Sequence, residues 1–274
     1  MQMYQLCQHS EIIFYLKVIF TGKSMPVFPS PVIFTSLYLP FMAQKKLLRF
    51  AQIKTFANVL EYPTNMQGQW KSFFKNDNPS VLELACGRGE YTIGLAGMHK
   101  EQNIIGVDVK GNRMFLGARK ALESNLANAA FLRTQIEMVA EYFAPGEVDG
   151  IWITFPDPQL RTSRAKKRLT HPRFLRLYNK ILKPGGSIHL KTDSPQLFHF
   201  TKKVIELYGL IFVEENSDVY AGSRKPELDI KTHYEGLDIA NSKKIFYLHF
   251  KLAGIIPNLD EQLQAELKQT ETQL

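Results

Sequence analysis

Residues 81–98, VLELACGRGEYTIGLAGM, pass from an apolar run through a glycine-rich turn into a helical pattern. The run VLELA predicts a buried strand, and YTIGLAGM predicts the helix that follows it. Gly87 and Gly89 allow the chain to turn tightly and allow a ligand to approach the backbone. This succession of strand, turn and helix indicates the ligand-binding end of an open α/β sheet.

Short apolar runs continue to alternate with helical patterns along the rest of the chain. The predicted strands are 81–85, 104–109, 129–133, 149–155, 187–193, 210–215 and 243–252. Helical patterns follow several of them, at 112–125, 171–182 and 194–209. Seven strands with intervening helices predict an α/β fold with a mostly parallel, doubly wound sheet and right-handed crossovers.

The two ends of the chain differ from the middle. Residues 1–41 combine an apolar run too short to cross a bilayer with a proline-punctuated stretch that lacks periodicity. Met42 opens MAQKKLLRFAQIKTFANVL, which is typical of a start site, so we expect residues 1–41 to come from an upstream start codon and to be an N-terminal extension outside the fold. Residues 42–253 are expected to form one domain, and 254–274 a polar, weakly helical surface tail.

Composition limits the possible partners. The net charge of +8 on 274 residues indicates a polyanionic partner, either nucleic acid or a membrane surface. Cys7 and Cys86 are too few for a disulfide framework, which fits a reducing, cytoplasmic setting, and we expect Cys86 to be a small buried thiol. No His and Cys residues have the spacing of a metal site, so we expect no metal.

Polar residues and glycines follow the predicted strands at the points where these end. They are Cys86–Gly89, Asp108, Gln135, Pro156–Pro158 and Asp193. Because the carboxyl ends of parallel strands meet at one edge of a sheet, these residues are expected to gather there. The sequence therefore predicts a binding site at this edge.

The residues around the glycine-rich turn favour a particular class of ligand. Thr92 stands where a dinucleotide fingerprint has its third glycine, and Glu83 would repel a pyrophosphate. An acid here suits S-adenosylmethionine, which carries an ammonium and a sulfonium but no phosphate. Asp108 could accept hydrogen bonds from ribose hydroxyls, and Gln135 lies where an adenine edge would be. Helix caps and solvated loop contacts are the alternative interpretations of these three polar side chains.

Asp157 lies between Pro156 and Pro158, at the start of a strongly basic segment. The two prolines restrict the backbone, so the carboxylate loses little entropy on binding. Seven cations follow within sixteen residues: Arg161, Arg164, Lys166, Lys167, Arg168, Arg173 and Arg176. Such a segment suits phosphate neutralisation, with a solvated basic loop as the alternative. A carboxylate beside it can accept guanine N1–H and N2–H₂ together, leaving guanine N7 to face a methyl donor.

The motifs LELACGRGEYTIGLA, GVDVKGNRM, TFPDPQ, KKRLTHPRFL, LKPGGSIHLKTD and IKTHYE resemble the bacterial tRNA (guanine-N7-)-methyltransferase family. The resemblance covers about Met42 to Ala253. It implies a Rossmann-like class I methyltransferase fold and S-adenosylmethionine as methyl donor, with S-adenosylhomocysteine as product. The implied target is the guanine at position 46 of the tRNA variable loop. Neither a membrane nor a metal is implied, and monomer and homodimer both stay open.

The resemblance also implies roles for single residues. Glu83, Gly87, Gly89, Asp108, Gln135 and Asp157 fall where the family contacts the cofactor, and Asp157 is also the implied catalytic acid. Arg161, Asp193, Thr232 and Glu235 fall where it contacts the substrate. Arg164, Lys166, Lys167 and Arg168 are expected to contact tRNA phosphates. The sequence departs from the family pattern at Gln135, usually Asp or Asn, and at Gln159, often Trp.

Two other classes of protein fit the sequence less well. A nicotinamide-dependent oxidoreductase is disfavoured by the incomplete glycine fingerprint and by Glu83. A non-catalytic RNA-binding scaffold is disfavoured because Glu83, Asp108 and Asp157 are all present.

Overall fold

A mixed β-sheet forms the centre of the part of the chain that the structure describes. The computed structural model describes residues 47–237 and 239–272. Within those residues the sheet has eight strands: β1 Val59–Glu61, β2 Ser80–Leu84, β3 Asn103–Asp108, β4 Ala129–Arg133, β5 Val148–Thr154, β6 Leu182–Thr192, β7 Ile211–Asn216 and β8 Phe246–Lys251. Their order across the sheet is β1-β4-β3-β2-β5-β6-β8-β7.

The strands from β1 across to β6 are parallel to one another. Strand β8 is antiparallel to both of its neighbours, β6 and β7. The chain winds outward from β2 to β4 and then returns to the other side of β2 with β5 and β6. The switch point therefore lies between the carboxyl ends of β2 and β5, where open α/β sheets bind ligands.

The predicted α/β class, with a mostly parallel and doubly wound sheet, is confirmed. The predicted count of seven strands was wrong, because the described residues also contain β1 at the edge of the sheet. This strand has three residues and pairs with β4. A strand so short shows no period-two pattern in the sequence.

Alternate residues of the central strands pack on opposite faces of the sheet, which explains their nearly continuous apolar sequence. In β5, Ile151 and Ile153 join the core on one face, whereas Trp152 joins the core on the other. The described chain contains the helices α1 Trp70–Phe74, α2 Glu90–Met98, α3 Gly111–Glu123, α4 Pro172–Ile181, α5 Pro195–Leu207 and α6 Asp260–Thr272, and residues 47–53 are also helical. Helices α2 and α3 cover the Trp152 face, while α4, α5 and α6 cover the opposite one.

Residues 254–274, expected to be a polar surface tail, contain α6, and α6 packs on the core. Leu263 is only 1% exposed and belongs to the same apolar cluster as α4 and α5. Asp260 forms an ion pair of 2.6 Å with Arg176 and accepts a hydrogen bond of 2.8 Å from the Tyr208 hydroxyl. The core therefore extends beyond residue 253, and the polar composition of the tail reflects only the outer face of a helix.

The expectation for residues 1–41 lies outside the described residues. Those that are described belong to one compact unit, Lys45–Leu274. None of the helices in this described part has both the length and the apolar character needed to cross a membrane.

Packing of α6 gives a test of the domain boundary. We expect Leu263→Ala to lower the free energy of unfolding by about 2–5 kcal/mol, because it leaves a cavity under the helix. Ile255→Ala is the matched control, since Ile255 is 93% exposed and its loss should change stability by less than about 0.5 kcal/mol. Urea unfolding of both variants measures the difference. Equal midpoints would mean that α6 adds nothing to the core.

Candidate active site

The turn between β2 and α2 has the tight backbone that its glycines predicted. Ala85, Gly87 and Gly89 have left-handed φ angles of 58°, 56° and 74°. A Cβ on Gly89 would lie 2.5 Å from the Phe131 ring, so only glycine fits there. Burial raises the pKa of the Cys86 thiol, which keeps it protonated within the turn. The turn is thus closely packed, and this packing fixes its backbone next to the switch point of the sheet.

Glu83 lies beneath this turn. Its side chain is buried, with Oε2 accepting from the Thr92 amide at 2.7 Å and from the Thr92 hydroxyl, and Oε1 accepting from the Thr154 hydroxyl at 2.7 Å. Burial raises the pKa of this carboxyl to about 7, against the hydrogen bonds from Thr92 and Thr154, which lower it. Glu83 therefore joins the turn, the first part of α2 and the end of β5.

Asp108 ends β3 beside the same turn. Its Oδ2 accepts a hydrogen bond of 2.9 Å from the Gly87 amide, and its Oδ1 accepts one of 2.8 Å from the Lys110 amide. The residue is 8% exposed. The structure thus brings Asp108 and Gly87 into direct contact, and the carboxylate holds the backbone of the turn.

Gln135 and Thr134 follow β4. Gln135 is exposed and precedes a 3₁₀ helix, Ile136–Glu141, without capping it through its side chain. Thr134 is buried, and its hydroxyl has no hydrogen-bond partner among the described residues. A buried polar group without a partner marks a place where a ligand could supply one. The sequence does not single out Thr134, because only its burial distinguishes it from an ordinary loop threonine.

The loop after β5 carries Asp157 in a strained backbone. Phe155 and Gln159 have left-handed φ angles of 46° and 47°, although neither is glycine. Each such residue costs roughly 1–2 kcal/mol, and strain of this kind is typically concentrated at functional sites. Asp157 is exposed, and its Oδ1 accepts a hydrogen bond of 2.9 Å from the Gln159 amide. The rigid carboxylate predicted from the two flanking prolines is therefore also held by its own loop.

The basic segment beyond this loop divides into exposed and engaged cations. A 3₁₀ helix, Thr162–Lys167, forms its centre. Arg161, Arg164, Lys166 and Lys167 are exposed. Farther along the chain, Arg173 forms an ion pair of 3.1 Å with Glu137, and Arg176 binds Asp260.

The buried position of Arg168 does not allow the phosphate contact that was expected from the sequence. Arg168 is 4% exposed, and its guanidinium donates hydrogen bonds to the backbone carbonyls of Pro158, Gln159 and Leu160. It also lies over the Phe200 ring, 4.4 Å from the ring centroid. The side chain turns inward because these three carbonyls and the ring bind it below the loop. Charge density along the sequence cannot reveal this orientation.

Lys191, near the end of β6, anchors the segment that contains Glu235. Its ammonium is fully buried and donates to the carbonyls of Leu228 and Ile230 and to Glu235 Oε2, at 2.9, 2.9 and 3.0 Å. Burial lowers the pKa of Lys191, while the charge of Glu235 raises it. The other Glu235 oxygen accepts from the Tyr220 hydroxyl. Glu235 thus holds this segment in place. Nothing in the sequence distinguishes Lys191, the buried lysine that binds it, from an exposed one.

Asp193, Thr232 and their neighbours complete this side of the site. Asp193 follows β6 and accepts a hydrogen bond of 3.2 Å from the Ala240 amide. The Thr232 hydroxyl accepts one of 3.1 Å from the Glu235 amide. A Cβ on Gly87 would lie 3.0 Å from the Tyr234 ring, so this ring covers the glycine-rich turn. The structure therefore places Tyr234 over the turn, in the same segment as Thr232 and Glu235.

One cavity of the described chain lies at the edge of the sheet opposite to the glycine-rich turn. This cavity of about 400 Å³ is lined in part by Pro79, Asp149 and Ser187, which lie at or near the amino ends of β2, β5 and the paired part of β6. That edge is opposite the one where open α/β sheets bind ligands. Among residues 47–237 and 239–272, no group of three or more His, Cys, Asp or Glu side chains could hold a metal ion.

The chain is similar to known methyltransferases. A family described as "Putative methyltransferase" matches residues 77–248. The tRNA (guanine-N(7)-)-methyltransferase of Porphyromonas gingivalis is 47% identical over 213 residues, covering 73% of this chain and 86% of the relative. The protein of the same name from Bacteroides thetaiotaomicron is 43% identical over 237 residues, covering 82% and 93%.

A solved structure supports the fold. The 16S rRNA methyltransferase KamB matches with a TM-score of 0.52 and 14% identity, covering 69% of this chain and 94% of that one. At this identity the likeness concerns the fold alone. The resemblance seen in the sequence motifs is confirmed by the identity and coverage of the relatives, and this chain belongs to the tRNA (guanine-N(7)-)-methyltransferase family.

Proposed function

We propose that this protein transfers the methyl group of S-adenosylmethionine to N7 of a guanine in tRNA. The observation that carries the proposal is Asp157, an exposed carboxylate held in a strained loop at the end of β5. The loop borders the switch point on one side and a group of exposed cations on the other. The family to which the chain belongs has this activity in the names of its members.

The carboxyl ends of β2, β3 and β4 suit S-adenosylmethionine. Each Asp108 oxygen accepts one backbone hydrogen bond, which leaves about two further acceptor positions for the ribose hydroxyls. The tight turn that Gly87 and Gly89 permit would contact the ligand through its backbone, and Gln135 and the buried Thr134 hydroxyl would contact the adenine. Glu83 fixes the turn from below, and when it is ionised its carboxylate would add negative charge beneath a cationic ligand.

Asp157 suits the Watson–Crick edge of guanine. Its Oδ1 already accepts from Gln159, and its Oδ2 has no partner among the described residues. A carboxylate can accept the two adjacent donors of guanine, N1–H and N2–H₂, with one or both oxygens. Asp157 would then fix the base with N7 toward the methyl donor, and its loop would contact the cofactor as well.

The chemistry needs orientation more than proton transfer. The N7 lone pair attacks the methyl carbon, the carbon–sulfur bond breaks, and S-adenosylhomocysteine leaves. The purine gains a positive charge in this step. Alignment of the two reactants lowers the barrier, and a fixed carboxylate at the base stabilises the developing cation. In this proposal Asp157 does both.

The remaining predicted residues are assigned to tRNA. Arg161, Arg164, Lys166 and Lys167 are exposed beside the loop and would neutralise phosphates. Asp193 and Thr232 would contact the substrate from the β6 side. Both Glu235 oxygens are already bound, by Lys191 and Tyr220, so Glu235 would serve the substrate by holding its segment in place.

Nucleoside analysis of methylated tRNA tests the function directly. The full chain is incubated with unmodified tRNA and S-adenosylmethionine labelled in the methyl group. We expect the label in 7-methylguanosine, mapped to a single guanine of the variable loop. Label in any other nucleoside, or none in tRNA while other RNA is methylated, would contradict the proposal.

The donor site is tested by Asp108→Ala. The substitution removes charge-assisted hydrogen bonds to the ribose, so we expect cofactor affinity to fall about 10- to 100-fold. Affinity for tRNA should change less than about threefold. Glu123→Ala, on the exposed surface of α3, is the matched control and should leave both affinities unchanged. Unaltered cofactor binding by Asp108→Ala would place the donor elsewhere.

The catalytic carboxylate is tested by Asp157→Asn. The amide keeps the size of the side chain but loses the charge and offers one carbonyl acceptor. We expect single-turnover methylation to slow by about 10²–10³, the usual loss for one preorganised charged or polar group. The affinity for tRNA should change less than about tenfold, because the exposed cations still bind phosphates. Both quantities are measured on the same preparation, and a near-normal rate would make Asp157 a turn residue only.

A further inference from the structure

Arg168 is the one predicted phosphate contact that the fold turns inward. Its Nε donates to the Pro158 carbonyl at 3.2 Å, and its Nη2 donates to the carbonyls of Gln159 and Leu160 at 3.1 and 3.3 Å. Nε also lies 3.3 Å from the Gln159 carbonyl. A single guanidinium thus gathers the three consecutive carbonyls that follow Asp157. This use of the planar fork is beyond what a lysine ammonium could reproduce.

The other side of the guanidinium is fixed to the core. It lies 4.4 Å from the centroid of the Phe200 ring, a contact that combines stacking with cation–π attraction. Phe200 belongs to α5, is 3% exposed and is part of the apolar cluster beneath the sheet. Arg168 therefore connects the loop after β5 to a rigid part of the scaffold.

The contacts of Gln159 link Arg168 to Asp157. The amide of Gln159 donates to the Asp157 carboxylate, while its carbonyl accepts from Arg168. Gln159 has a left-handed φ of 47°, which a residue with a side chain seldom adopts unless its surroundings hold it there. Arg168 binds the Gln159 carbonyl and so stabilises the backbone of the residue that orients the Asp157 carboxylate.

We infer that Arg168 is a positioning residue for methyl transfer, which keeps Asp157 in the geometry that receives the guanine. The inference rests on the proposed function, since it concerns the same site and the same reaction. It separates the basic segment into two roles. The exposed cations bind the tRNA backbone, and the buried arginine shapes the loop that holds the base.

The two roles differ in what they do to binding and to rate. A phosphate contact contributes to the salt dependence of tRNA binding, with a log–log slope of roughly 0.7–0.9 for each contact. A positioning residue contributes to the rate of the bound complex, where a misplacement of about 1 Å can cost about 10²-fold. The salt slope and the single-turnover rate at saturating tRNA therefore distinguish them.

The test compares Arg168→Lys with two matched controls. Lys167→Ala removes the exposed neighbouring cation. Arg176→Lys replaces a partly buried arginine that binds Asp260 in α6 and the carbonyl of Pro257, which precedes α6. For each variant we measure tRNA affinity at several salt concentrations, the single-turnover rate at saturating tRNA and the thermal midpoint. The wild-type protein is measured in parallel for formation of 7-methylguanosine.

We expect Arg168→Lys to keep the wild-type salt slope and to slow the bound-state rate about 10- to 100-fold. Lys167→Ala should lower the slope by roughly 0.7–0.9. Arg176→Lys should lower the thermal midpoint as much as Arg168→Lys does, without slowing the bound-state rate. This pattern separates positioning of the loop from general loss of stability.

Three results would overturn the inference. A lower salt slope with an unchanged bound-state rate for Arg168→Lys would make Arg168 a phosphate contact. An equal rate loss in Arg168→Lys and Arg176→Lys would reduce its role to stability of the fold. Absence of 7-methylguanosine from the wild-type reaction would instead remove the proposed function, and the inference with it.

A second variant covers the case in which Arg168→Lys does not fold. Phe200→Leu keeps the charge of Arg168 and removes the ring on which its guanidinium lies. We expect several-fold slower methylation at saturating tRNA, with an unchanged salt slope. A wild-type rate in Phe200→Leu, together with an unfolded Arg168→Lys, would show that Arg168 serves folding only.

Discussion

The buried carboxylate of Glu83 is the interaction on which the geometry of the site depends. It binds Thr92 in the first turn of α2 and Thr154 at the end of β5, across the switch point of the sheet. These contacts fix the glycine-rich turn relative to the loop that carries Asp157. The proposed reaction needs close alignment of a methyl donor and a base, and the contacts of Glu83 hold together the two segments that we propose bind them.

The loop after β5 adds a second level of order. Proline on both sides of Asp157, left-handed backbone at Phe155 and Gln159, and the guanidinium of Arg168 all restrict the same short segment. The cost of that arrangement is met during folding, so little reorganisation is needed when a base arrives. In our proposal the basic segment therefore has two roles: its exposed cations bind the tRNA backbone, and Arg168 holds the internal geometry of the loop.

The topology could be predicted from sequence, and so could the gathering of several candidate residues at one edge of the sheet, because these residues lie at or just after strand ends. Asp108 ends the apolar strand β3 and Asp157 lies three residues after β5, and parallel pairing brings such positions to one edge. Burial and long-range pairing could not be predicted in the same way. Arg168 resembles its exposed neighbours in sequence, and the pairing of Lys191 with Glu235 joins residues 44 positions apart. Such contacts depend on packing that no local pattern encodes.

Preorganisation of the loop can be measured by hydrogen exchange of the protein without ligands. A peptide spanning residues 155–160 reports on few amides, since Pro156 and Pro158 have none. If Asp157 and Arg168 hold the loop, the Gln159 amide should exchange about tenfold or more slowly than in an unstructured peptide. That protection should change little when S-adenosylmethionine and tRNA are added. Exchange at the unstructured rate, with protection appearing only when tRNA binds, would contradict the account.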